Sequence, residues 1–317
     1  MSQGYQRRDA EIVDYELWRP GPDSDWLRGP APASLAPGSY FACVGAAQTF
    51  GCFAARPWPT LLAEQIGLPV LNLGVAGAGP ALFRQPQFAS LLAGARFVVF
   101  QVLSGRSADC SRFTSGGRER LHVRTDGRVL GADEAWAEVL HADLAGWRRP
   151  WLRGLVNRWR ALTARQYARQ LVRETRSHWL AEFGELLTAI RSPKLLFWFG
   201  QRRPAYRPRF HSVAALFGAY PQLVDDRMVA TLAQLADDYI ECVTSRGSPQ
   251  LLRSRHTGAP TTVRPADDGT GTAPTWRWTH NAYYPSPEMH ADAAVSLLAA
   301  VRRLRDEGAS FTNSQPG

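Results

Sequence analysis

The chain has 317 residues, 45% of them hydrophobic and 11 of them tryptophan, which is enough for a substantial core and excludes a disordered protein. Its formal net charge is +9, carried almost entirely by arginine, since Lys194 is the single lysine. This balance favours an anionic small molecule or glycan as ligand. No recognition-helix, zinc-finger or RNA-recognition pattern accompanies the charge, so nucleic acid is not expected as a partner.

Four cysteines without CxxC spacing predict reduced, buried thiols and neither a disulfide framework nor a metal site. The first residues are polar, and no stretch of the sequence approaches 18 consecutive apolar residues. We therefore expect no signal peptide, no membrane span and a cytoplasmic location. No pattern indicates a cofactor, and the oligomeric state stays open.

The first third of the chain alternates between predicted strands and helices. A proline- and glycine-rich stretch over residues 1–38 predicts an extended arm pinned by Trp18 and Trp26. The elements expected after it are strand 40–44, helix 60–66, strand 68–74, helix 81–93 and strand 96–103. This order predicts an α/β fold with a three-layer, doubly wound, mainly parallel sheet of the flavodoxin type, with a ligand site at the carboxyl ends of the strands.

The rest of the chain predicts two further strands, together with a long insertion before them and a long loop after them. A helical insertion is expected at about 108–192, with a hairpin at Thr125-Asp126-Gly127. The elements expected after it are strand 194–200, helix 225–239, strand 240–244, a loop or lid over 247–280, helix 288–307 and a disordered tail over 308–317. Residues 39–307 are predicted to form one domain.

Three short motifs follow the predicted strands and the loop before the last helix. They are Gly45-Ala46-Ala47-Gln48-Thr49-Phe50-Gly51, then Asn72-Leu73-Gly74 with Gly77, and finally Tyr284-Pro285-Ser286-Pro287-Glu288-Met289-His290. In this order they resemble the blocks of the SGNH/GDSL hydrolase superfamily. The N-terminal Asp14-Tyr15-Glu16-Leu17 and Arg28-Gly29-Pro30 are similar to those of bacterial SGNH-like proteins of the DUF6473 type.

The resemblance implies a serine nucleophile, two further oxyanion-hole donors and an Asp-x-x-His base, and this chain departs from most of them. Ala47 stands in the serine place, and an alanine methyl cannot attack an acyl carbon. Asparagine is missing after the third strand, where Ser104 or Arg106 could donate instead. Pro287 replaces the aspartate, so His290 keeps the base position without its orienting carboxylate.

The resemblance and the strand ends together define the candidate site. The candidate catalytic residues are His290 and Thr49, and the candidate substrate-binding residues are Gln48, Gly45, Asn72, Gly74, Gly77, Gln101, Ser104 and Arg106. Structural alternatives stay open: Thr49 as a helix N-cap, Gln48 as an exposed turn residue and the glycines as turn formers. Arg202 and Arg203 also follow a predicted strand and are candidate ligands for carboxylate, sulfate or phosphate groups.

Three functions fit these residues. The first is an enzyme with an altered SGNH-like site that hydrolyses or transfers acyl groups on carbohydrate or polysaccharide. The second is a non-catalytic binding protein on the same scaffold. The third is a transferase that moves an anionic group, such as sulfuryl, onto a glycan; the lack of a Walker-type phosphate loop counts against a standard nucleotide site.

Overall fold

A parallel five-stranded sheet forms the centre of the computed structural model, which describes residues 2–22, 24–141, 153–264 and 277–312. Its strands are β1 (Phe41–Gly45), β2 (Val70–Gly74), β3 (Val98–Gln101), β7 (Lys194–Gly200) and β8 (Asp238–Val243). The strand order is β2-β1-β3-β7-β8, and every neighbouring pair is parallel. This is the flavodoxin-type order, so the predicted fold class is confirmed.

Helices cover both faces of the sheet. The helices of the described ranges are α1 (Ser2–Asp9), α2 (Ala47–Phe50), α3 (Trp58–Ile66), α4 (Pro80–Phe83), α5 (Pro86–Ala93), α6 (Ala132–His141), α7 (Arg153–Ala189), α8 (Val213–Phe217), α9 (Asp226–Ala233) and α10 (Pro287–Thr312). None of the helices in the described ranges is long and apolar enough to span a membrane.

Strand side chains alternate between two hydrophobic cores, as the two-residue repeat of a strand requires. Ala42 and Val44 of β1 lie in the core beneath α4, α5, α7 and α9. Phe41 and Cys43 of the same strand lie in the core beneath α3 and α10. The chain therefore builds three layers, with the sheet between two layers of helices.

Two predicted helices differ from those observed. The stretch predicted as one helix over 81–93 is divided into α4 and α5, because Pro86 cannot donate the hydrogen bond that would continue the first helix. The helix predicted over 225–239 ends at Ala233, and β8 begins at Asp238. The sequence places the elements correctly and misses these boundaries.

The insertion after β3 is more mixed than predicted. It contains an antiparallel sheet of β4 (Phe113–Thr114), β5 (Arg120–Val123) and β6 (Val129–Gly131), followed by α6 and α7. The β5–β6 pair confirms the hairpin predicted at Thr125-Asp126-Gly127. Residues 142–152 of the predicted insertion lie outside the described residues.

The N-terminal arm is folded onto the sheet and begins with a helix, α1, where the sequence predicts extended chain. Asp9 is fully buried; it pairs with Arg8 and accepts a 2.6 Å hydrogen bond from the Tyr15 hydroxyl. Arg28, also buried, donates to the carbonyls of Ala54 and Ala55 at 3.0 and 2.8 Å. Polar contacts in the interior therefore hold the arm.

The predicted loop over 247–280 is pinned by short strand pairs in the parts that the structure describes. The strands β9 (Gln250–Leu251) and β10 (His280–Asn281) pair antiparallel, and Val263 bridges to Trp278. Residues 265–276 of this loop lie outside the described residues. Helix α10 continues to Thr312, into the stretch predicted as a disordered tail, and 313–317 are again outside the described part. The extent of the domain, 39–307, stays a prediction.

Candidate functional site

Two adjacent chambers lie at the carboxyl edge of the sheet, where open α/β sheets bind ligands. Residues after β1, β2 and β3 line one chamber, and Gln48 after β1 and the end of β7 line the other. The larger has a volume of about 420 Å³ and the smaller about 160 Å³. Four residues line both chambers: Gln48, Tyr220, Gln222 and Tyr283.

Four of the candidate substrate-binding residues meet in the larger chamber. Gln48 follows β1, Gly77 follows β2, and Ser104 and Arg106 follow β3. Ala47 lines the same chamber beside Gln48, so a methyl group occupies the position at which the resemblance implies a serine. The loops after three neighbouring strands thus converge as the sheet topology predicts.

The Thr49 hydroxyl is used inside the protein. Thr49 is fully buried and donates a 2.6 Å hydrogen bond to Oε1 of Gln101, which is also fully buried. The Ala46 amide donates to the same oxygen at 3.4 Å. Neither Thr49 nor Gln101 is among the residues that line the two chambers, and the Thr49 hydroxyl is already used by Gln101.

Gly45, Asn72 and Gly74 hold the first loop against the sheet. The Asn72 side chain donates to the Thr49 carbonyl at 3.0 Å and accepts from the Gly74 amide at 2.9 Å. A Cβ atom on Gly45 would overlap the Thr49 side chain, and one on Gly74 would overlap the backbone of Phe50. These three residues therefore allow close approach of α2 and line neither chamber.

His290 is fully buried at the start of α10 and lines neither chamber. Its Nδ1 accepts a 3.2 Å hydrogen bond from the Trp58 amide, so the neutral ring carries its proton on Nε2. Nε2 has no hydrogen-bond partner among the described residues. Burial, reinforced by the Arg28 charge, lowers the pKa of His290 to about 3, so the ring is neutral near pH 7. His290 therefore packs inside the protein against Trp58 and Phe199, while its neighbour Met289 lines the smaller chamber.

The segment just before His290 supplies the chamber wall instead. Tyr283 lines both chambers and Tyr284 lines the larger one. Buried Asn281 accepts from both tyrosine amides, at 3.1 and 2.9 Å, and fixes this turn. No motif in the sequence singles out Asn281 or Tyr284; their place in the wall follows from this turn.

The N-terminal helix also contributes to the chamber, which the sequence did not indicate. Tyr5 lines the larger chamber, and its hydroxyl lies 3.2 Å from the Tyr284 hydroxyl. The Arg8 guanidinium lies over the Tyr5 ring, 4.6 Å from its centroid. The arm is therefore part of the site wall.

Arg106 is neutralised by two carboxylates that sequence reasoning missed. It donates to Glu119 at 2.5 Å and to Asp133 at 3.2 Å, and both carboxylate residues line the larger chamber. Burial opposes the charge of Arg106, but Glu119 and Asp133 outweigh this effect and raise the pKa of its guanidinium. One arginine beside two carboxylates leaves a formal balance of −1, which does not favour an anionic ligand in this chamber.

Two buried glutamine residues line both chambers, and the side-chain amide of each has an unpaired hydrogen-bonding atom. Gln48 is 4% exposed and Gln222 is 5% exposed. Within the described part of the chain, Oε1 of each has no hydrogen-bond partner. The Gln222 amide nitrogen reaches only the Tyr283 hydroxyl, at 3.5 Å. Because buried polar atoms are almost always paired, these unpaired oxygens single out the two glutamines as candidate contacts for a ligand.

The sequence matches one family model, Domain of unknown function (DUF6473), over residues 1–305. The chain belongs to the DUF6473 family. No curated protein matches this DUF6473 chain.

Solved structures that resemble this DUF6473 protein include an extracellular lipase from Streptomyces rimosus, with 14% identity and a TM-score of 0.38 over 84% of this chain and 100% of that one. A phospholipase A1 from Streptomyces albidoflavus has 10% identity and a TM-score of 0.39, covering 84% and 99% of the two chains. A carbohydrate esterase family 2 enzyme from Corynascus thermopiles has 10% identity and a TM-score of 0.37, covering 89% and 70%. At these TM-scores no function transfers from the neighbours.

Proposed function

We propose that this protein binds a neutral, hydroxyl-rich ligand of the saccharide class in the two chambers and does not use a serine-hydrolase mechanism. The observation that carries the proposal is the pair of buried amides, Gln48 and Gln222, whose Oε1 atoms lack partners among the described residues. A buried acceptor left unpaired costs about 1–3 kcal/mol, and a ligand hydroxyl would recover that cost.

Aromatic side chains supply the other part of saccharide recognition. Tyr220 and Tyr283 line both chambers, while Trp278 and Tyr284 line the larger one. A sugar ring has apolar faces and polar edges, so flat aromatic faces pack against the ring while amides bind its hydroxyls. The formal charge of −1 around Arg106 supports a neutral ligand over a sulfuryl donor in this chamber.

The groups needed for serine-hydrolase chemistry are not assembled. Ala47 lines the larger chamber, whereas Thr49 and His290 are fully buried outside both chambers. Ser104 and Ser107 do line the larger chamber, but no histidine is among its described lining residues. A serine without a positioned base is a weak nucleophile.

Titration calorimetry with a panel of neutral monosaccharides and their methyl glycosides and N-acetyl derivatives tests the binding proposal. We expect saturable binding by the wild-type protein and a rise in Kd of about tenfold or more in Gln48→Ala and Gln222→Ala. Gln87→Ala, an exposed glutamine on α5, is the matched control and should bind like the wild type. The absence of binding across the panel at about 10 mM ligand would refute the saccharide assignment.

A second candidate is ester cleavage or acyl transfer on a substituted carbohydrate, and the smaller chamber is the observation that favours it. Its walls include Phe199, Pro285 and Met289, which suit an acyl group beside the two glutamines. Such a reaction would need Glu119 or Asp133 to activate Ser104, Ser107 or a water molecule. Turnover of an acetylated saccharide that is lost in Ser104→Ala or Glu119→Gln would establish this candidate and replace the non-catalytic proposal.

The cytoplasm remains our proposed location. All four cysteines, Cys43, Cys52, Cys110 and Cys242, are buried and free. Reduced thiols are typical of proteins from a reducing compartment.

A further inference from the structure

A third cavity, larger than both chambers, lies behind the wall of the smaller chamber. This groove, with a volume of about 900 Å³, is bounded by the segment after β7, by α8, by the start of α9 and by Arg176 of α7. Gly218 lines both the groove and the smaller chamber, so one chain segment separates them. Nothing in the proposed saccharide site uses the groove.

The groove has an excess of positive charge. Arg176, Arg207, Arg209 and Arg227 line it, against only Asp225 and Asp226, which leaves a formal balance of +2 with His211 neutral. This sign is opposite to that of the larger chamber. Clefts concentrate the potential of the charges that line them, so an anion is attracted here more strongly than to a flat surface.

Both aspartates of the groove already have partners within the protein. Asp225 forms a 2.8 Å ion pair with Arg176. It also caps α9 by accepting a 3.1 Å hydrogen bond from the Met228 amide. Asp226 accepts from the backbone amide of Arg227 at 3.0 Å. Arg176 is therefore neutralised, and the excess charge of the groove belongs to the other arginines.

The guanidinium groups of Arg207, Arg209 and Arg227 have no hydrogen-bond or ion-pair partner in the described ranges of the chain. Some exposed arginines elsewhere find carboxylates, as Arg246 does with Asp292, and others, such as Arg191, have no partner among the described residues. The groove differs in that three exposed arginines without a partner line one cavity.

The wall that carries two of these arginines is held in place. Arg202 donates to the carbonyls of Ala219 and Val224 at 2.8 and 2.9 Å, and its guanidinium lies 4.9 Å from the centroid of the Tyr206 ring. The Tyr206 hydroxyl donates in turn to the Leu216 carbonyl. Because the backbone is fixed, only side-chain rotation is needed to bring the guanidinium groups onto a ligand.

We propose that this groove is a second binding site, for a ligand that carries two or more sulfate or phosphate groups. The planar guanidinium fork matches a tetrahedral oxyanion with two parallel hydrogen bonds, and such charge-assisted bonds are stronger than neutral ones. The volume accommodates a ligand of disaccharide or nucleotide size. The site is independent of the saccharide proposal.

Calorimetry on the full chain at low ionic strength tests the groove, with sucrose octasulfate and inorganic pyrophosphate as probes. Comparing the two probes shows whether the groove prefers sulfate or phosphate groups. Sucrose is the uncharged control. We expect saturable binding of at least one probe and a Kd raised about tenfold or more in the triple variant R207Q/R209Q/R227Q. The R207K/R209K/R227K variant keeps the charge and loses the fork, so its Kd should lie between those of the wild type and the glutamine variant.

The matched control removes the same three charges elsewhere. Arg120, Arg191 and Arg302 are exposed, so R120Q/R191Q/R302Q lowers the net charge equally without touching the groove. Equal weakening in both triple variants would show attraction by net charge alone and overturn the proposal. Failure of both probes to bind at millimolar concentration would also overturn it. Thermal unfolding checks that each variant folds.

Discussion

Thr49 donates a 2.6 Å hydrogen bond to the side-chain oxygen of Gln101, and both residues are fully buried. The bond joins α2, which follows β1, to the end of β3, and the two residues before Thr49 line the larger chamber. A hydroxyl committed in this way supports the loop that carries Ala47 and Gln48. We therefore infer a positioning role for Thr49, not a catalytic one.

Substituting Thr49 by valine should destabilise the fold. The change preserves shape, removes the donor and leaves Oε1 of Gln101 with only the long 3.4 Å bond from Ala46. We expect a loss of about 1–3 kcal/mol in the free energy of unfolding, measured by urea denaturation.

Thr49→Ser is the control for that experiment, because it retains the hydroxyl and removes only a methyl group. It should be clearly more stable than Thr49→Val. If the valine variant were as stable as the wild type and yet lost ligand binding or turnover, the inference of a supporting role would fail.

His290 should make stability depend on pH. Its pKa in the folded protein is about 3, against an ordinary value of 6.5. Between these values the unfolded chain binds a proton that the folded protein excludes, so stability falls as the pH is lowered through this window. At roughly 1.4 kcal/mol for each pH unit, His290 should account for roughly 2–3 kcal/mol of stability lost between pH 7 and about pH 4.5.

Comparing the urea midpoints of wild type and His290→Gln across this range measures the effect. The glutamine variant should be less stable at pH 7 and show a flatter decline on acidification. His256→Gln, which alters an exposed histidine, should retain the wild-type slope. An unchanged slope in His290→Gln would contradict the assignment of a neutral, buried ring.

Ala47→Ser should not create an esterase. The new hydroxyl would lie in the larger chamber, whereas the buried His290 ring lines neither chamber and accepts from the Trp58 amide. Because a positioned base contributes about a hundredfold or more, we expect p-nitrophenyl acetate turnover by Ala47→Ser to equal that of the wild type. Turnover that appears in Ala47→Ser and disappears on adding His290→Gln would show that the imidazole reaches the serine.

The sequence predicts the scaffold well because the scaffold depends on local patterns. Buried runs such as Phe41–Gly45 and Val70–Gly74, each followed by small residues, identify the parallel strands and the edge at which their loops meet. The same reasoning brings Gln48, Gly77, Ser104 and Arg106 together in one chamber. These residues lie immediately after strand ends, where topology alone determines their neighbourhood.

The rest of the site depends on contacts between segments that are distant in sequence. No periodicity indicates that Tyr5 of the arm or Glu119 of the insertion reaches the larger chamber. Similarly, the position of His290 before a terminal helix resembles a base, and only packing against Trp58 and Phe199 shows that the ring is enclosed. Orientation and burial of single side chains are tertiary properties that a motif does not determine.

Arg202, a candidate ligand residue from its position after β7, should prove to be a structural residue. Its guanidinium donates to the carbonyls of Ala219, Pro221 and Val224 and lies 4.9 Å from the centroid of the Trp198 ring. Burial lowers its pKa to about 10, which still leaves it charged at pH 7.

Arg202→Lys keeps the charge but cannot bond these diverging carbonyls with one ammonium group. We expect a loss of about 2 kcal/mol or more in the free energy of unfolding, together with faster amide hydrogen exchange across residues 203–224. Arg203→Lys, at the exposed neighbouring position, should change neither measurement. Because Gly218 lines both the smaller chamber and the groove proposed to bind sulfate or phosphate groups, and Arg202 bonds the carbonyl of the adjacent Ala219, Arg202→Lys should also weaken binding at both sites. Wild-type exchange across 203–224 in Arg202→Lys would show that other contacts hold this wall.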